Sequence, residues 1–248
     1  MSRKVLLGSG GFRTEERIQR ISKAMRSHFG DIPKLLFIPF ALADHDGYIN
    51  AMNERGLNAG YELDGIHLHE DPVQAVEEAG GIYVGGGNTF RLLNDLYRYD
   101  LLDAIRARVD TGMPYLGVSA GTNVACPTMQ TTNDMPIVMP PSFAALTLVP
   151  FQVNAHYYTG DTYVKSGDEM VPHFGETRDQ RLAEFHEMNV TPVIGLWEAG
   201  LLDVRAEGDS CTAELIGTPA RIFRQGETPV DIDTGTKFRC DNGEIVVE

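Results

Sequence analysis

Through the first half of the chain, short apolar runs recur, each followed by a glycine or turn residue and then by a stretch with helical spacing. Lys4-Val5-Leu6-Leu7 and Lys34-Leu35-Leu36-Phe37-Ile38 are apolar at consecutive positions, the pattern of strands buried on both faces rather than one. Between them, Ile18, Ile21 and Met25 fall on one helical face within a segment from Glu15 to Phe29. Asp44 to Gly60 reads as a second helix, with an Asp cap at its start and a glycine stop. Further strands are expected at Gly65-Ile66-His67-Leu68, Gly81-Ile82-Tyr83-Val84 and Tyr115-Leu116-Gly117-Val118, with a Leu-rich helix from Asn88 to Val109 before the last.

This alternation predicts an α/β fold with a doubly wound, mainly parallel sheet and helices on both faces. In such sheets ligands bind beyond the carboxyl ends of the strands. After residue 125 the pattern weakens. Cys126 to Pro150 reads as loops and short strands near the site, Thr177 to Met188 as a helix, and Pro192-Val193-Ile194-Gly195-Leu196 as a strand. The final fifty or so residues carry short antiparallel strands and turns such as Asp241-Asn242-Gly243. With no repeat or linker in view, residues 1–248 are expected to form a single domain.

Charge and cysteine usage narrow the classes of function. A net charge of −14 without an opposing Lys/Arg cluster excludes nucleic acid and anionic membrane surfaces as partners. An acidic substrate would need its own local cation. The 3 cysteines, Cys126, Cys211 and Cys240, have no metal-like spacing and do not suggest a disulfide framework, which fits a cytoplasmic protein. The apolar stretch of MSRKVLLGSGGF is too short for a signal peptide, and no apolar run is long enough for a membrane span.

Candidate chemistry centres on Gly117-Val118-Ser119-Ala120-Gly121. It matches the G-x-S-x-G pattern in which a serine sits on a sharp turn between a strand and a helix, and it lies where that pattern requires. An ordinary glycine-rich turn is the competing use. A second turn, Gly85-Gly86-Gly87-Asn88-Thr89, follows the preceding strand and offers a backbone donor. Gly87 paired with Ala120 is the natural oxyanion hole, with Gly86 as substitute. Serine needs a base. Among the 7 histidines, His156 stands out after the strand-like Phe151-Gln152-Val153-Asn154. Glu198 and Asp134 compete to orient it, and Glu198 follows a strand end and completes a Ser, His, acid order.

Taken together, these stretches resemble the peptidase E family, cytoplasmic α-aspartyl dipeptidases with a fold related to the class I glutamine amidotransferase domain. The resemblance extends through Thr122-Asn123-Val124-Ala125-Cys126-Pro127-Thr128, Thr131-Thr132-Asn133-Asp134-Met135-Pro136-Ile137 and Gly175-Glu176-Thr177-Arg178-Asp179-Gln180-Arg181, covering most of residues 80–200. It implies Ser119 as nucleophile, His156 as base, Glu198 as third triad member, and Gly87 with Ala120 as oxyanion hole. Arg178 would grip the substrate's P1 carboxylate, and Asp134 would lie near the substrate site.

The expected reaction is hydrolysis of Asp-X peptides through an acyl-enzyme, with no cofactor and no metal. A small peptide is the expected partner, and a homodimer is left open. The start, Gly8-Ser9-Gly10-Gly11-Phe12-Arg13-Thr14, and the segment His156 to Phe174, with Tyr157, Tyr158 and Lys165, depart from the family pattern. The second departure leaves room for another P1 preference such as Asn. Alternatives are a cyanophycinase-like hydrolase, a glutamine amidotransferase-like amidase, which would need cysteine at the elbow, and an inactive peptide-binding module.

Overall fold

The computed structural model describes residues 2–241 and 243–248, so Asn242 of the expected Asp241-Asn242-Gly243 turn lies outside the described residues. The first half of the chain builds β1 (Arg3–Gly8), α1 (Glu15–Phe29), β2 (Lys34–Ile38), α2 (His45–Glu54), β3 (Glu62–Gly65), α3 (Pro72–Glu78), β4 (Ile82–Val84), α4 (Thr89–Arg98), α5 (Leu101–Asp110), β5 (Tyr115–Val118) and α6 (Ala120–Ala125). Its five strands pair in parallel in the order β3-β2-β4-β5-β1. β1, β2, β4 and β5 are buried on both faces, as their consecutive apolar residues require, whereas the edge strand β3 exposes Glu62. Val5, Leu7, Ile82, Val84 and Tyr115 point toward α3, α4 and α5, while Leu6, Tyr83 and Leu116 point toward α1 and α2.

The second half adds β6 (Gln152–Tyr157), β7 (Thr162–Ser166), β8 (Glu169–His173), α7 (Arg178–Met188), β9 (Val193–Trp197), β10 (Leu201–Glu207), β11 (Ser210–Ile216), β12 (Ala220–Phe223), β13 (Val230–Ile232), β14 (Lys237–Asp241) and β15 (Glu244–Val247). Strand β10 joins β1 antiparallel, and β11, β14 and β15 extend the sheet to nine strands. The polar-out, apolar-in alternation of Cys211, Ala213 and Leu215 matches a sheet face covered on one side. Strand β9 enters a second sheet of four strands, β13-β12-β9-β6, in which β6 and β9 are parallel. The long segment between the base candidate and Arg178 forms the two-stranded hairpin β7–β8, most of it exposed.

Several expected boundaries shift. The strand expected at Gly65 to Leu68 lies earlier, over Glu62–Gly65, and Ile66–Leu68 is a single 3-10 turn. Asp64 holds the earlier register by accepting from Lys34 of β2 at 2.7 Å and from His69 at 2.9 Å. The Leu-rich helix is two helices, because Asp100 adopts a left-handed conformation (φ 54°) that redirects the chain while Leu92, Leu96, Leu101 and Ile105 all still reach the core. The second helix stops at Glu54, short of Gly60. Cys126 to Pro150 is loop, with one isolated bridge between Thr128 and Ala144. No helix among the described residues is long and apolar enough to cross a membrane.

His28 on α1 docks onto β5, its Nε2 donating to the Tyr115 carbonyl at 3.0 Å, while Nδ1 is buried without a partner. Burial first, then the nearby Arg205 charge, depresses its pKa from the ordinary 6.5 to about 3. The imidazole is therefore neutral in the folded chain but takes up a proton in the unfolded one, so stability is full above pH 6.5 and falls as pH drops toward 3. Between about pH 7.5 and about pH 5 this group alone should remove roughly 2 kcal/mol. Urea unfolding of the wild type and of His28→Gln at the two pH values checks this, the variant lacking that component of the difference.

Candidate active site

Ser119 occupies the turn between β5 and α6 with φ 56° and ψ −110°, a conformation that costs a non-glycine residue about 1–3 kcal/mol. The surrounding backbone enforces it. Ser119 N–H donates to the Gly8 carbonyl at 2.8 Å, and the same carbonyl accepts from Thr122 Oγ1 at 2.8 Å. The flanking glycines are required by close approach: a Cβ on Gly117 would sit 2.3 Å from the Gly121 oxygen, and one on Gly121 would sit 2.2 Å from the Val84 oxygen. The turn thus pushes Oγ outward at the carboxyl end of the sheet.

Ser119 Oγ lies 2.7 Å from His156 Nε2, and His156 Nδ1 lies 2.8 Å from Glu198 Oε1. The histidine protrudes at a bulge in β6, where the register against β9 shifts between Ala155 and Tyr157 and His156 takes φ 57°. Glu198 begins the turn from β9 into β10, which Ala199 completes with φ 65°. The hydrogen bond from His156 holds the Glu198 carboxyl below its ordinary pKa, against the opposing effect of burial. With Nδ1–H given to Glu198, Nε2 presents its lone pair to the serine hydroxyl, the tautomer that proton abstraction needs. Of the two acids weighed as orienting group, Glu198 is the one on the imidazole.

Asp134 lies elsewhere in the site. Its Oδ2 accepts from Thr89 N at 2.7 Å, Thr89 Oγ1 at 2.6 Å and Thr132 Oγ1 at 3.0 Å. It therefore clamps the first residue of α4, directly after the turn that contains Gly87. Asn88 caps that helix through Arg91 N and donates to the Met135 carbonyl, pinning the same turn from its other side. Gly86 faces Ser119 closely enough that a Cβ there would lie 2.9 Å from Ser119 Cβ. Burial pushes the pKa of the nearby Tyr48 hydroxyl up to about 12. Ala120, first residue of α6, has an N–H with no partner inside the helix.

Arg178 opens α7, its guanidinium 5.3 Å from the centre of the Tyr158 ring, two residues beyond His156. It is half-buried, its Nε has no partner, and burial lowers its pKa. Among the described residues no carboxylate lies within ion-pair distance of it. A separate apolar cavity of about 460 Å³, lined by Phe90, Met129, Phe143, Phe185 and Met188, borders Thr132 and Asp134 but none of Ser119, His156 and Glu198. No cluster of three or more His, Cys, Asp or Glu side chains among the described residues is arranged to hold a metal.

The residues that sequence reasoning passed over are Ser9, Gly10 and Gly11. Ser9 is fully buried; its Oγ donates to the Leu196 carbonyl at 2.8 Å and accepts from His156 N at 2.8 Å. Gly10 and Gly11 lie so close that a Cβ on the first would be 2.6 Å from His156 Cε1, and on the second 2.1 Å from Glu198 Oε2. The signal was present as a glycine-rich loop at the carboxyl end of a buried strand, the place where site residues collect.

A family model described as "Peptidase family S51" matches residues 5–211. Peptidase E of Streptomyces coelicolor is 48% identical over 204 residues, 82% of this chain and 79% of its own. A Drosophila melanogaster protein named "Probable alpha-aspartyl dipeptidase" is 45% identical over 196 residues, 78% of this chain and 77% of its own. The crystal structure of a peptidase from an acI-B1 actinobacterium shares the fold, with a TM-score of 0.63 at 17% identity over 100% of this chain and 98% of that one. A serine on a strained elbow, aligned with an imidazole and a carboxylate, is the chemistry such relatives call for, and the chain belongs to peptidase family S51, a family of serine peptidases.

Proposed function

We propose that the chain is one hydrolytic α/β unit that acts as a cytoplasmic dipeptidase on Asp-X peptides, with Ser119 as nucleophile. The observation that carries this reading is the relay from Ser119 Oγ through His156 to Glu198, at 2.7 Å and 2.8 Å, with the uncompensated guanidinium of Arg178 over the ring of Tyr158, two residues along from the base. His156 Nε2 takes the hydroxyl proton as Oγ attacks the peptide carbonyl. Glu198 stabilises the imidazolium that forms, and the N–H groups of Gly87 and Ala120 receive the negative charge of the tetrahedral oxygen. His156 then gives the proton to the leaving amine. A water molecule, deprotonated by the same imidazole, releases the acyl group and frees the serine.

Selection is assigned to Arg178. Its planar fork matches a carboxylate bidentately, and an anionic P1 side chain would supply the partner that the half-buried guanidinium lacks within the chain. Local attraction of this kind is needed in a chain of net charge −14. The name of the Drosophila relative supports the same substrate class, and that of the Streptomyces relative supports a peptidase.

Hydrolysis of Asp-Leu tests the proposal. Ser119→Ala should lower kcat by about four orders of magnitude or more, and a rate within tenfold of wild type would exclude Ser119 as nucleophile. Arg178→Ala should raise KM for Asp-Leu by about tenfold or more, and Arg178→Lys should recover only part of that loss, since an ammonium cannot reproduce the fork. A second expectation concerns Ser9, which supports the base without reaching substrate. Ser9→Ala removes the hydroxyl that joins the His156 N–H to the Leu196 carbonyl. Steady-state assays of the folded variant should show kcat reduced by about ten- to a hundredfold with KM within twofold. An unchanged kcat would make the hydroxyl a purely structural contact.

A further inference from the structure

Asp179 is the carboxylate nearest to Arg178 along the chain, yet its two oxygens are committed elsewhere. The Tyr157 hydroxyl donates to Oδ1, and Arg221 Nη1 donates to Oδ2 at 2.8 Å. Arg221 is held from its far side by a fork onto Asp231, Nε to Oδ1 at 2.6 Å and Nη2 to Oδ2 at 2.7 Å. The chain Tyr157–Asp179–Arg221–Asp231 therefore links strand β6, which carries His156, to the first turn of α7, which carries Arg178, and to strands β12 and β13. Tyr157 is fully buried and packs edge-on against Trp197 and Phe223, so its hydroxyl is a fixed anchor rather than a mobile one.

We propose that Arg221 is a positioning residue for substrate selection: by occupying Asp179 it keeps that carboxylate away from Arg178 and fixes α7 against the base-bearing strand. The inference rests on Arg178 binding the P1 carboxylate. Deprived of Arg221, Asp179 becomes a half-paired anion one residue from the guanidinium, and any turn of its side chain toward Arg178 competes directly with the substrate. Arg221 and Asp231 both lie beyond residue 211, where the family match ends, so this support comes from a part of the chain outside that match.

The consequence is a change in KM without a change in the chemical step. Arg221→Met should raise KM for Asp-Leu about fivefold or more with kcat within twofold, and Arg221→Lys, which can still reach Asp179, should recover part of it. Tyr157→Phe, which deletes only the hydroxyl and keeps the packed ring, should raise KM by about twofold or more and carries the test if Arg221→Met does not fold. In an Arg178→Ala background, Arg221→Met should have no additional effect on KM, because the path by which it acts is gone. Folded Arg221→Met with wild-type KM, an equal loss in kcat, or effects that add to those of Arg178→Ala would each overturn the inference. If Arg178→Ala itself leaves KM unchanged, the reading of Arg178 fails and the inference falls with it. If Arg178→Ala raises KM and Arg221→Met does not, the inference alone fails.

Discussion

The hydrogen-bonded relay of Ser119, His156 and Glu198 spans two sheets, and the joint between them is the contact on which its geometry depends. Ser119 belongs to the nine-stranded sheet, whereas His156 and Glu198 stand at the ends of β6 and β9 in the four-stranded one. The loop Gly8 to Gly11 binds to all three places: the Gly8 carbonyl holds Ser119 N–H, Ser9 Oγ bridges His156 N and the Leu196 carbonyl, and the Gly10 carbonyl takes Ala199 N–H at 2.7 Å. A proton relay tolerates only a few tenths of an ångström of error in its donor–acceptor distances. Hydrogen bonds buried from water, with no competing partner, are the interactions that can hold such a tolerance between separate layers.

The same joint explains why three residues in left-handed conformations can coexist in so small a volume. Ser119, His156 and Ala199 each take positive φ without being glycine, and each has its peptide group tied by the Gly8–Gly11 loop. Strain of this kind persists only where surrounding bonds over-determine the backbone. The strained geometry aims the serine and histidine at one another from opposing strand ends, which relaxed strands would not do, since their side chains alternate strictly between faces.

How much of this could be read from residues alone depended on whether the determinant was local. Buried parallel strands such as Lys34–Ile38 announce themselves by consecutive apolar positions, and the elbow around Ser119 is a contiguous pattern whose glycines are explained by contacts within a few residues or with the adjacent strand. The break at Asp100 was hidden because Leu96 and Leu101 both remain apolar and buried, leaving the apolar pattern intact across the left-handed residue between the two helices. Strand β9 was visible as a strand but not as a member of a second sheet, because sheet membership is a matter of long-range pairing. Ser9 was passed over for the same reason: it bonds residues 147 and 187 positions away, and nothing in a Gly-Ser-Gly-Gly loop specifies such partners.

Acidic residues carry much of the remaining organisation, which is unexpected in a chain with 35 of them and an anionic substrate. Three of them each fix a separate part of the site: Glu198 the imidazole, Asp134 the turn holding Gly87, and Asp179 the start of α7. A bare carboxylate near the P1 position would repel substrate, and one free to reach Arg178 would replace it. Two hydroxyls and an amide on Oδ2 of Asp134 spread its charge over fixed dipoles, and Arg221 neutralises Asp179. The guanidinium of Arg178 stays half-buried over Tyr158, its Nε without a partner and no carboxylate among the described residues within ion-pair distance. An unpaired buried cation is costly in the free protein. In the proposed reading, a substrate carboxylate arriving at Arg178 would relieve that cost, and the relief would supply the binding energy of the acidic side chain.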